Sequence, residues 1–300
     1  MTAIKSHSPG TDRGFPAQVP AASRRARARR LAGRYPLAFT VAVIVAVIMI
    51  LPFVTLIISA LTPGSQMAAD RWLPTYLRWA NFADATRYIP FWSMLRSSVF
   101  LSSLFAVLTT FSSALTGYGF ARLRGPAKNV LFALLIGTMM VPPIVTLIPT
   151  YLLFSDYHLV GTYWPWVLWG AAGTPYAIFL YRQFFSGFPK ELEEAAVIDG
   201  AGQLRIFFRV FLPLSRPLLV TAFVLGFNAV WGDFIAPDLF LNESNTTLAV
   251  GVAAGYQNSN GYPLYNLLAG GALLYVVPVI LLFLFAQRSY VRGFVTAGLK

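Results

Sequence analysis

Residues 37–61 read LAFTVAVIVAVIMILPFVTLIISAL, a run of 25 residues without a charged side chain, in which Pro52 is the only helix breaker. A helix needs about 20 predominantly apolar residues to cross the hydrocarbon core of a bilayer. The run is too long for the apolar region of a signal peptide, usually about 7–15 residues, and no small-residue cleavage site follows it. It therefore predicts a transmembrane helix.

The composition of the whole chain agrees with this prediction. Of its 300 residues, 57% are apolar and 11% are charged, whereas soluble chains are about 45–50% apolar and 25% charged. A soluble protein of this size could not cover its surface with so few charges, so the chain is predicted to be an integral membrane protein. Cysteine is absent, which excludes a disulfide framework, a thiolate nucleophile and a zinc–thiolate site.

Five further apolar runs predict membrane helices, which makes the expected fold an all-α polytopic membrane protein with six transmembrane helices. They are Met94–Tyr118, Asn129–Phe154, Tyr163–Phe185, Pro217–Ala236 and Leu264–Ala286. The third and fourth spans contain five prolines: Pro142, Pro143, Pro149, Pro165 and Pro175. Each proline removes a backbone donor and bends its helix. The bends are either packing kinks or hinges in helices that line a pathway.

Basic residues in the connections indicate which face is cytoplasmic. Of the 23 basic residues, 19 lie on the face that carries both termini, and the opposite connection 62–93 carries three. Both termini are therefore predicted to be cytoplasmic. The predicted organisation is a basic, disordered tail at 1–36, a six-helix domain at 37–287 and a C-terminal tail at 288–300. The N-terminal tail is expected to be attracted to anionic lipid, and a nucleic-acid role is not favoured.

The longest cytoplasmic connection contains the segment 188–213, FPKELEEAAVIDGAGQLRIFFRVFLP. Pro189 suits a first helical position, and three glutamates follow where the helix dipole favours negative charge. Gly200 can supply the left-handed residue that ends this helix. A second short helix is predicted over Gln203–Phe211, ended by Pro213. The segment is thus expected to be two short amphipathic helices that meet at a glycine.

Two roles remain open for this helix pair on physical grounds. It could lie on lipid, although an anionic leaflet would repel the acidic first turn. Alternatively, its small face, Ala195, Ala196 and Gly200, could dock closely against another protein. The glutamates are not expected to be catalytic, because no pocket is predicted that would raise their pKa.

Several motifs together resemble one family. Glu194-Ala195-Ala196-x-x-Asp199-Gly200-Ala201, then Phe207 and Leu212-Pro213-Leu214, resembles the EAA loop of permease subunits of binding-protein-dependent ABC importers. Tyr118-Gly119-Phe120-Ala121-Arg122-Leu123 is similar to the family's Tyr-x-x-Ala-Arg segment. The closing segment, Gln287-Arg288 to Thr296-Ala297-Gly298, resembles the tail of carbohydrate-type subunits such as the second maltose permease subunit. The resemblance covers roughly residues 36–300.

The resemblance implies a non-catalytic permease subunit in the cell inner membrane, whose EAA loop forms a coupling helix in a groove of a separate ATPase subunit. The implied coupling residues are Glu194, Ala195, Ala196, Asp199, Gly200, Ala201, Phe207, Leu212 and Pro213. The implied partners are a second permease subunit in a heterodimer, two ATPase subunits and an external solute-binding protein. Two positions depart from the family pattern: Gly202 and Gln203 replace the usual Thr or Ser and Pro, and Gly232 replaces an Asn.

The chain contains no Gly-x-x-x-x-Gly-Lys-Ser/Thr phosphate-binding loop. If transport is driven by ATP, the ATP and Mg must therefore bind to a partner subunit, and no cofactor is expected on this chain.

Polar and aromatic side chains in the predicted spans are the candidates for a substrate pathway. They are Asn228, Trp231, Asp233 and Tyr151, with Asn266 and Tyr275 as further candidates. Aromatic faces combined with amides and carboxylates suit a sugar, but Trp and Tyr also gather at membrane interfaces without such a role. His7 and His158 are isolated in the sequence, so no metal site is expected.

Two other function classes fit the sequence less well. An ion-coupled secondary transporter would need ion-binding groups at mid-membrane and often has inverted repeats, and neither is recognisable. An intramembrane enzyme would need a convergent catalytic set, which the sequence does not offer. The expected function is a permease subunit that forms half of the pathway for a sugar or sugar-like solute.

Overall fold

The computed structural model describes residues 36–67 and 73–297, with side chains up to residue 287. The helices are α1 (Pro36–Leu61), α2 (Ala80–Tyr88), α3 (Phe91–Arg122), α4 (Lys128–Thr138), α5 (Pro143–Asp156), α6 (Trp164–Ala172), α7 (Pro175–Ser186), α8 (Glu191–Ile198), α9 (Gln203–Leu214), α10 (Arg216–Trp231), α11 (Ile235–Phe240), α12 (Leu248–Ala254) and α13 (Tyr265–Ala297). No strand occurs in these ranges, only an isolated bridge between Gln257 and Pro263. The predicted tail 1–36 lies outside the described residues except for its last position.

The chain divides into two compact units, with the boundary after Thr55 inside α1. The described part of the first unit is the helical stretch from Pro36 to Thr55, which carries only apolar and hydroxyl side chains. The hydroxyl groups of its two threonines donate hydrogen bonds within the helix. Thr40 donates to Pro36 O at 2.9 Å and Thr55 donates to Pro52 O at 3.0 Å. No polar side-chain group in this stretch lacks a hydrogen-bond partner, so the stretch suits the apolar core of the bilayer.

In the described residues, three helices are each long and apolar enough to cross a membrane: Pro36–Leu61, Phe91–Arg122 and Tyr265–Gln287. Two bent helix pairs raise the number to five if each pair is one span. One of them corrects the third predicted span, which is wrong as a single helix: α4 and α5 meet at 99°. Pro142 and Pro143 lack a backbone donor and disfavour helical geometry in the residue before them, so the helix breaks there.

The fourth predicted span is also interrupted, between α6 and α7. Gly173 has φ +75°, and a side chain at this position would approach Ser113 Oγ to 2.9 Å. The following residue, Thr174, donates its backbone N–H to the same Ser113 Oγ at 3.1 Å. Pro175 then occupies the first turn of α7, where its missing N–H is tolerated. The close approach to α3 therefore interrupts the helix, although the apolar sequence continues without a break.

The fifth predicted span ends earlier than Ala236, at Trp231. Asp233 Oδ1 accepts hydrogen bonds from the backbone N–H groups of Ile235 at 3.0 Å and Ala236 at 3.3 Å. An aspartate in this position caps the start of a helix, so a new short helix, α11, begins where the prediction continued the old one.

The central element of the second unit is α3, on which α6, α7 and α10 pack. Glycines let these helices approach it closely. A methyl group at Gly226 of α10 would lie 2.8 Å from Thr109 Cγ2, and one at Gly117 of α3 would lie 2.5 Å from Tyr181 Cβ of α7. Small residues at helix contacts are typical of membrane helices, because lipid supplies no hydrophobic force to hold helices together.

The end of the unit that contains α2 and the start of α13 is held by a polar network around Asn81. The amide nitrogen of this fully buried side chain donates to Ala60 O at 2.9 Å and to Thr62 O at 2.8 Å. Its amide oxygen accepts from Arg78 at 2.7 Å and from Asn266 at 3.2 Å. All the hydrogen-bonding capacity of the Asn81 side chain is thereby used, as a buried amide requires.

Candidate functional site

The structure confirms the two short helices predicted in segment 188–213, with shifted ends. The first, α8, begins at Glu191 instead of near Pro189. The second, α9, continues past Pro213, which was predicted to end it. The reason is a π-helical turn over Phe207–Phe211, in which Leu212 N–H donates to Phe207 O. Pro213 then falls in the first turn of the last α-helical segment, where a missing N–H is tolerated.

The turn between α8 and α9 has a defined hydrogen-bonding pattern. Gly200 has φ +76° and donates its N–H to Val197 O at 2.9 Å, while Ala201 N–H donates to Ala196 O at 2.9 Å. This pair of bonds is the Schellman motif that ends helices on a left-handed residue. A side chain at Gly200 would meet no heavy atom within 4 Å, so within this chain only the backbone conformation requires glycine.

One face of α8 is exposed and combines acidic with apolar side chains. Val197 and Ile198 are 52% and 85% exposed. The remaining members of this exposed face are Leu192, Glu194, Ala195 and Asp199. On the opposite side, Ala196 packs against a buried cluster that includes Tyr118, Phe185 and Phe207. The helix is thus anchored on one side and exposes apolar and acidic side chains on the other.

Arg122, at the end of α3, joins the elements that hold α8. Its Nη2 donates to the carbonyl oxygens of Phe185 at 2.7 Å and Phe188 at 2.5 Å, which end α7 and lead into α8. Its Nη1 lies 3.9 Å from Glu193 Oε2, and its guanidinium lies 5.0 Å from the centroid of the Phe211 ring. The side chain is 7% exposed. A planar guanidinium with several donors suits such a junction, which a lysine could not reproduce.

Tyr118 lies one turn before Arg122 on the same face of α3. Its hydroxyl donates to Gln203 Oε1 at 2.7 Å, and its ring centroid lies 5.3 Å from that of Phe207 and 5.0 Å from that of Phe211. Tyr118 therefore holds α9 while Arg122 holds α8. The sequence showed both residues only as part of a family motif. Their spacing of four, which puts them on one helix face, was the signal for a shared role.

The predicted coupling residues fall into two groups. Ala196, Ala201, Phe207 and Leu212 belong to the buried cluster or pack against it. The others are exposed: Glu194, Ala195, Asp199, Gly200 and Pro213. The segment therefore has an anchoring side and an outward side.

The structure brings two of the candidate pathway residues, Trp231 and Tyr275, into contact and places Tyr151 and Asn266 elsewhere. Trp231 is buried between the rings of Phe227 and Tyr275, with centroids 5.4 Å and 5.2 Å away, and Tyr275 OH donates to its carbonyl oxygen. Asn228 is exposed on α10. Asp233 caps the start of α11, a structural role that the sequence does not indicate.

The other two candidates have structural partners of their own. Tyr151 packs edge-on against Phe240, with centroids 5.5 Å apart, and Asn266 belongs to the Asn81 network. Across residues 36–67 and 73–297, no group of three or more His, Cys, Asp or Glu side chains could hold a metal ion.

Long apolar helices and the anchored helix pair α8 and α9 define a helical, multi-pass membrane protein. The chain belongs to the family described as binding-protein-dependent transport system inner membrane component, whose model matches residues 113–292.

Relatives of similar length support this membership. The chain is 31% identical over 251 residues to the probable ABC transporter permease protein YurM of Bacillus subtilis, covering 83% of each chain. It is 31% identical to the arabinooligosaccharides transport system permease protein AraQ of Halalkalibacterium halodurans, covering 85% of this chain and 93% of the relative. It is 30% identical to the melibiose/raffinose/stachyose import permease protein MelC of Bacillus subtilis, with coverages of 86% and 94%.

A solved structure shares the fold. It belongs to a bacterial ABC transporter involved in the import of the acidic polysaccharide alginate. The TM-score is 0.74 at 20% identity, with 91% of this chain and 99% of that chain covered.

Proposed function

We propose that the chain is a transmembrane subunit of an ATP-driven importer, that it forms half of the pathway for a sugar or sugar-like solute, and that α8 transmits the action of a separate ATPase. The observation that carries this proposal is the exposed face of α8, Leu192, Glu194, Ala195, Val197, Ile198 and Asp199, held from behind by Arg122 and Tyr118. An apolar surface exposed beside anchored helices is characteristic of a binding interface.

The contacts behind α8 supply a mechanical route. Force on the exposed face passes through Ala196 to the buried aromatic cluster, and through Phe188 and Glu193 to Arg122. Arg122 and Tyr118 are both part of α3, the helix on which α6, α7 and α10 pack. Closure of an ATPase against α8 would therefore move the central helices together, because packed interfaces shift as units.

The solute class rests on the relatives and on the chemistry of the candidate residues. The proteins named above include permeases for arabinooligosaccharides and for melibiose, raffinose and stachyose. Another relative, 32% identical, is a sn-glycerol-3-phosphate permease protein of Pectobacterium atrosepticum. The shared chemistry is a polyhydroxyl compound, for which aromatic faces are suitable contacts. In this chain, exposed Asn228 is the first proposed contact, and Trp231, Asp233 and Tyr151, which have partners within the chain, are proposed as secondary ones.

The six-span arrangement with both termini cytoplasmic is part of the proposal. The six spans would be the three long helices, the bent pair α4 and α5, the interrupted pair α6 and α7, and α10, while α9 belongs to the coupling loop. The excess of basic residues on one face supports the orientation. The proposed organisation remains a tail at 1–36, a transmembrane domain at 37–287 that includes the coupling loop 188–213, and a tail at 288–300.

The proposed partners are a second permease subunit, two ATPase subunits that bind ATP and Mg, and an external solute-binding protein. The absence of a phosphate-binding loop from this sequence and the family membership support the assignment of ATP binding to a separate subunit. The family membership also disfavours the ion-coupled secondary transporter.

A test of coupling uses vesicles containing this chain, its second subunit and the ATPase, supplied with ATP and with the solute-binding protein. Gly200→Trp, which adds a large side chain to the outward side of the turn, is expected to abolish uptake and solute-stimulated ATP hydrolysis while the chain still inserts. Glu194→Lys is expected to act in the same direction by reversing a charge on the exposed face. Normal uptake by Gly200→Trp would refute the proposal, and uptake in vesicles without any ATPase would favour the secondary transporter.

A matched glycine pair separates partner contact from backbone strain. Gly200→Ala and Gly202→Ala both add a methyl group in open space, but only Gly200 has a positive φ. Gly200→Ala is expected to cost about 1–2 kcal/mol through left-handed strain, and Gly202→Ala is expected to be neutral in thermal unfolding. Gly200→Asn tolerates the left-handed backbone, so a loss of coupling in that variant indicates lost contact with the partner.

A further inference from the structure

A cavity of about 680 Å³ opens between α8 and the connection from α3 to α4. Its charged lining consists of Arg122, Arg124, Lys128, Lys190, Glu193 and Glu194. Arg122 faces Glu193. In the described part of the chain, no carboxylate lies within 4.0 Å of a charged nitrogen of Arg124, Lys128 or Lys190. The cavity therefore has a surplus of positive charge that the described residues do not neutralise.

Two of these basic side chains also border an apolar groove. Arg124 and Lys128 line a second cavity of about 350 Å³ between α3 and α4, together with Gly119, Phe120 and Leu131. Leu131 is 55% exposed, so this surface of α4 is not covered by the rest of the described chain. The groove runs from the basic cavity along two helices of the predicted third and second spans.

We propose that these two cavities form one binding site for an anionic phospholipid. The phosphate would lie between Arg124 and Lys128, and an acyl chain would lie in the groove beside Gly119, Phe120 and Leu131. Charge complementarity supports the first half, because basic residues next to a membrane helix attract anionic headgroups. The apolar groove supports the second half, because a soluble phosphate would leave it exposed to water. A hydrated free anion would use only one of the two cavities.

The site has a direct connection to α8, because Lys190, Glu194, Val197 and Ile198 form the opposite wall of the basic cavity. A bound headgroup would therefore lie beside the helix that is proposed to meet the ATPase. Lipid binding itself does not depend on that proposal, since Arg124, Lys128 and the groove belong to α3, α4 and their connection.

The test titrates the purified full chain, in a neutral detergent, with phosphatidylglycerol or with phosphatidylcholine and counts bound lipid by native mass spectrometry. Phosphatidylglycerol is expected to bind more tightly. The double variant Arg124→Gln/Lys128→Gln should weaken its binding by roughly 30-fold, at about 1 kcal/mol for each basic residue. The control Arg209→Gln/Arg216→Gln removes two exposed charges from the same predicted face but outside the cavity, and should bind normally. Arg124→Lys/Lys128→Arg keeps both charges and should also bind normally.

A groove variant tests the acyl-chain half. The nearest atom to a side chain at Gly119 is Leu123 Cδ1 at 3.9 Å, so Gly119→Leu can enter the groove and is expected to weaken phosphatidylglycerol binding. Equal affinity for the two lipids would overturn the proposal, and so would an equal loss in both charge-removing double variants. Full displacement of the lipid by an equimolar amount of its soluble glycerophosphoglycerol headgroup would also overturn it, because it would leave no role for the groove.

Discussion

Replacement of Gly117 by alanine tests whether the contact of α3 with α7 sets the stability of the core. The added methyl carbon would lie 2.5 Å from Tyr181 Cβ, 3.1 Å from Arg182 N and 3.1 Å from Ile178 O. Carbon atoms in favourable contact are about 3.5–4.0 Å apart, so the two helices must separate by about 1 Å. Two of the three neighbouring atoms are backbone, and the third is a Cβ, so a change of rotamer cannot relieve the contact.

The expected magnitude follows from two opposing terms. Overpacking of a tight contact costs about 1–3 kcal/mol, and the double backbone contact places Gly117→Ala at the upper end. Alanine is better than glycine in a helix by about 1 kcal/mol. The expected net loss is therefore about 2 kcal/mol. The matched control is Gly119→Ala, two residues further along α3, where the nearest atom is Leu123 Cδ1 at 3.9 Å. It gains the same helix propensity without the clash.

The assay is thermal unfolding of both variants in one detergent, followed by size-exclusion chromatography of the fraction that stays monodisperse. At about 2 °C per kcal/mol, the low end for domains of 150–250 residues, Gly117→Ala should unfold about 4 °C below the parent, and Gly119→Ala at or slightly above it. Midpoints for the two variants that agree within 1 °C would show that α3 and α7 are not packed as closely as described, and would refute the reasoning.

Three further predictions concern the residues that hold α8 and α9. The stability of each variant is measured in the same unfolding assay. Tyr118→Phe removes the hydrogen bond to Gln203 and should cost about 1 kcal/mol, whereas Tyr181→Phe removes a buried hydroxyl without a partner among the described residues and should stabilise by about 1 kcal/mol. Arg122→Lys loses the shared donation to two carbonyls and should cost about 2 kcal/mol and reduce coupled ATP hydrolysis. Glu193→Gln, across a 3.9 Å separation from Arg122, should change stability by less than about 1 kcal/mol, and a larger loss would make the ion pair the main anchor.

The helix pair α8 and α9 was predictable because its signals are local. Three glutamates in a first turn and a glycine after the last turn determine where α8 lies, and the structure differs only by two residues at its start. The end of α9 was not predictable in the same way. A proline normally ends a helix, and only the π-helical turn over Phe207–Phe211 makes Pro213 acceptable there.

The interruptions of the third, fourth and fifth spans were harder to predict, for different reasons. Pro142 and Pro143 signal a bend, but no local rule gives its 99° angle. Gly173 lies in an apolar run, and what selects its left-handed conformation is a contact with Ser113, 60 positions earlier in the chain. Asp233 is predicted as a pathway residue because it is a charged side chain within a predicted span, and its capping bonds to α11 are a structural role that hydropathy does not reveal.

The sequence shows the motif that contains Arg122 but does not show the structural role of this residue. In the sequence it is one of three basic residues in a short connection that is predicted to be cytoplasmic, and the charge alone indicates only orientation. Its function as a junction depends on the carbonyl oxygens of Phe185 and Phe188, which can accept a further hydrogen bond because α7 ends there. A buried cation with two carbonyl partners and an aromatic face is expensive to displace. These contacts tie the end of α3 to the segment that leads into α8, as the proposed transmission from an ATPase requires.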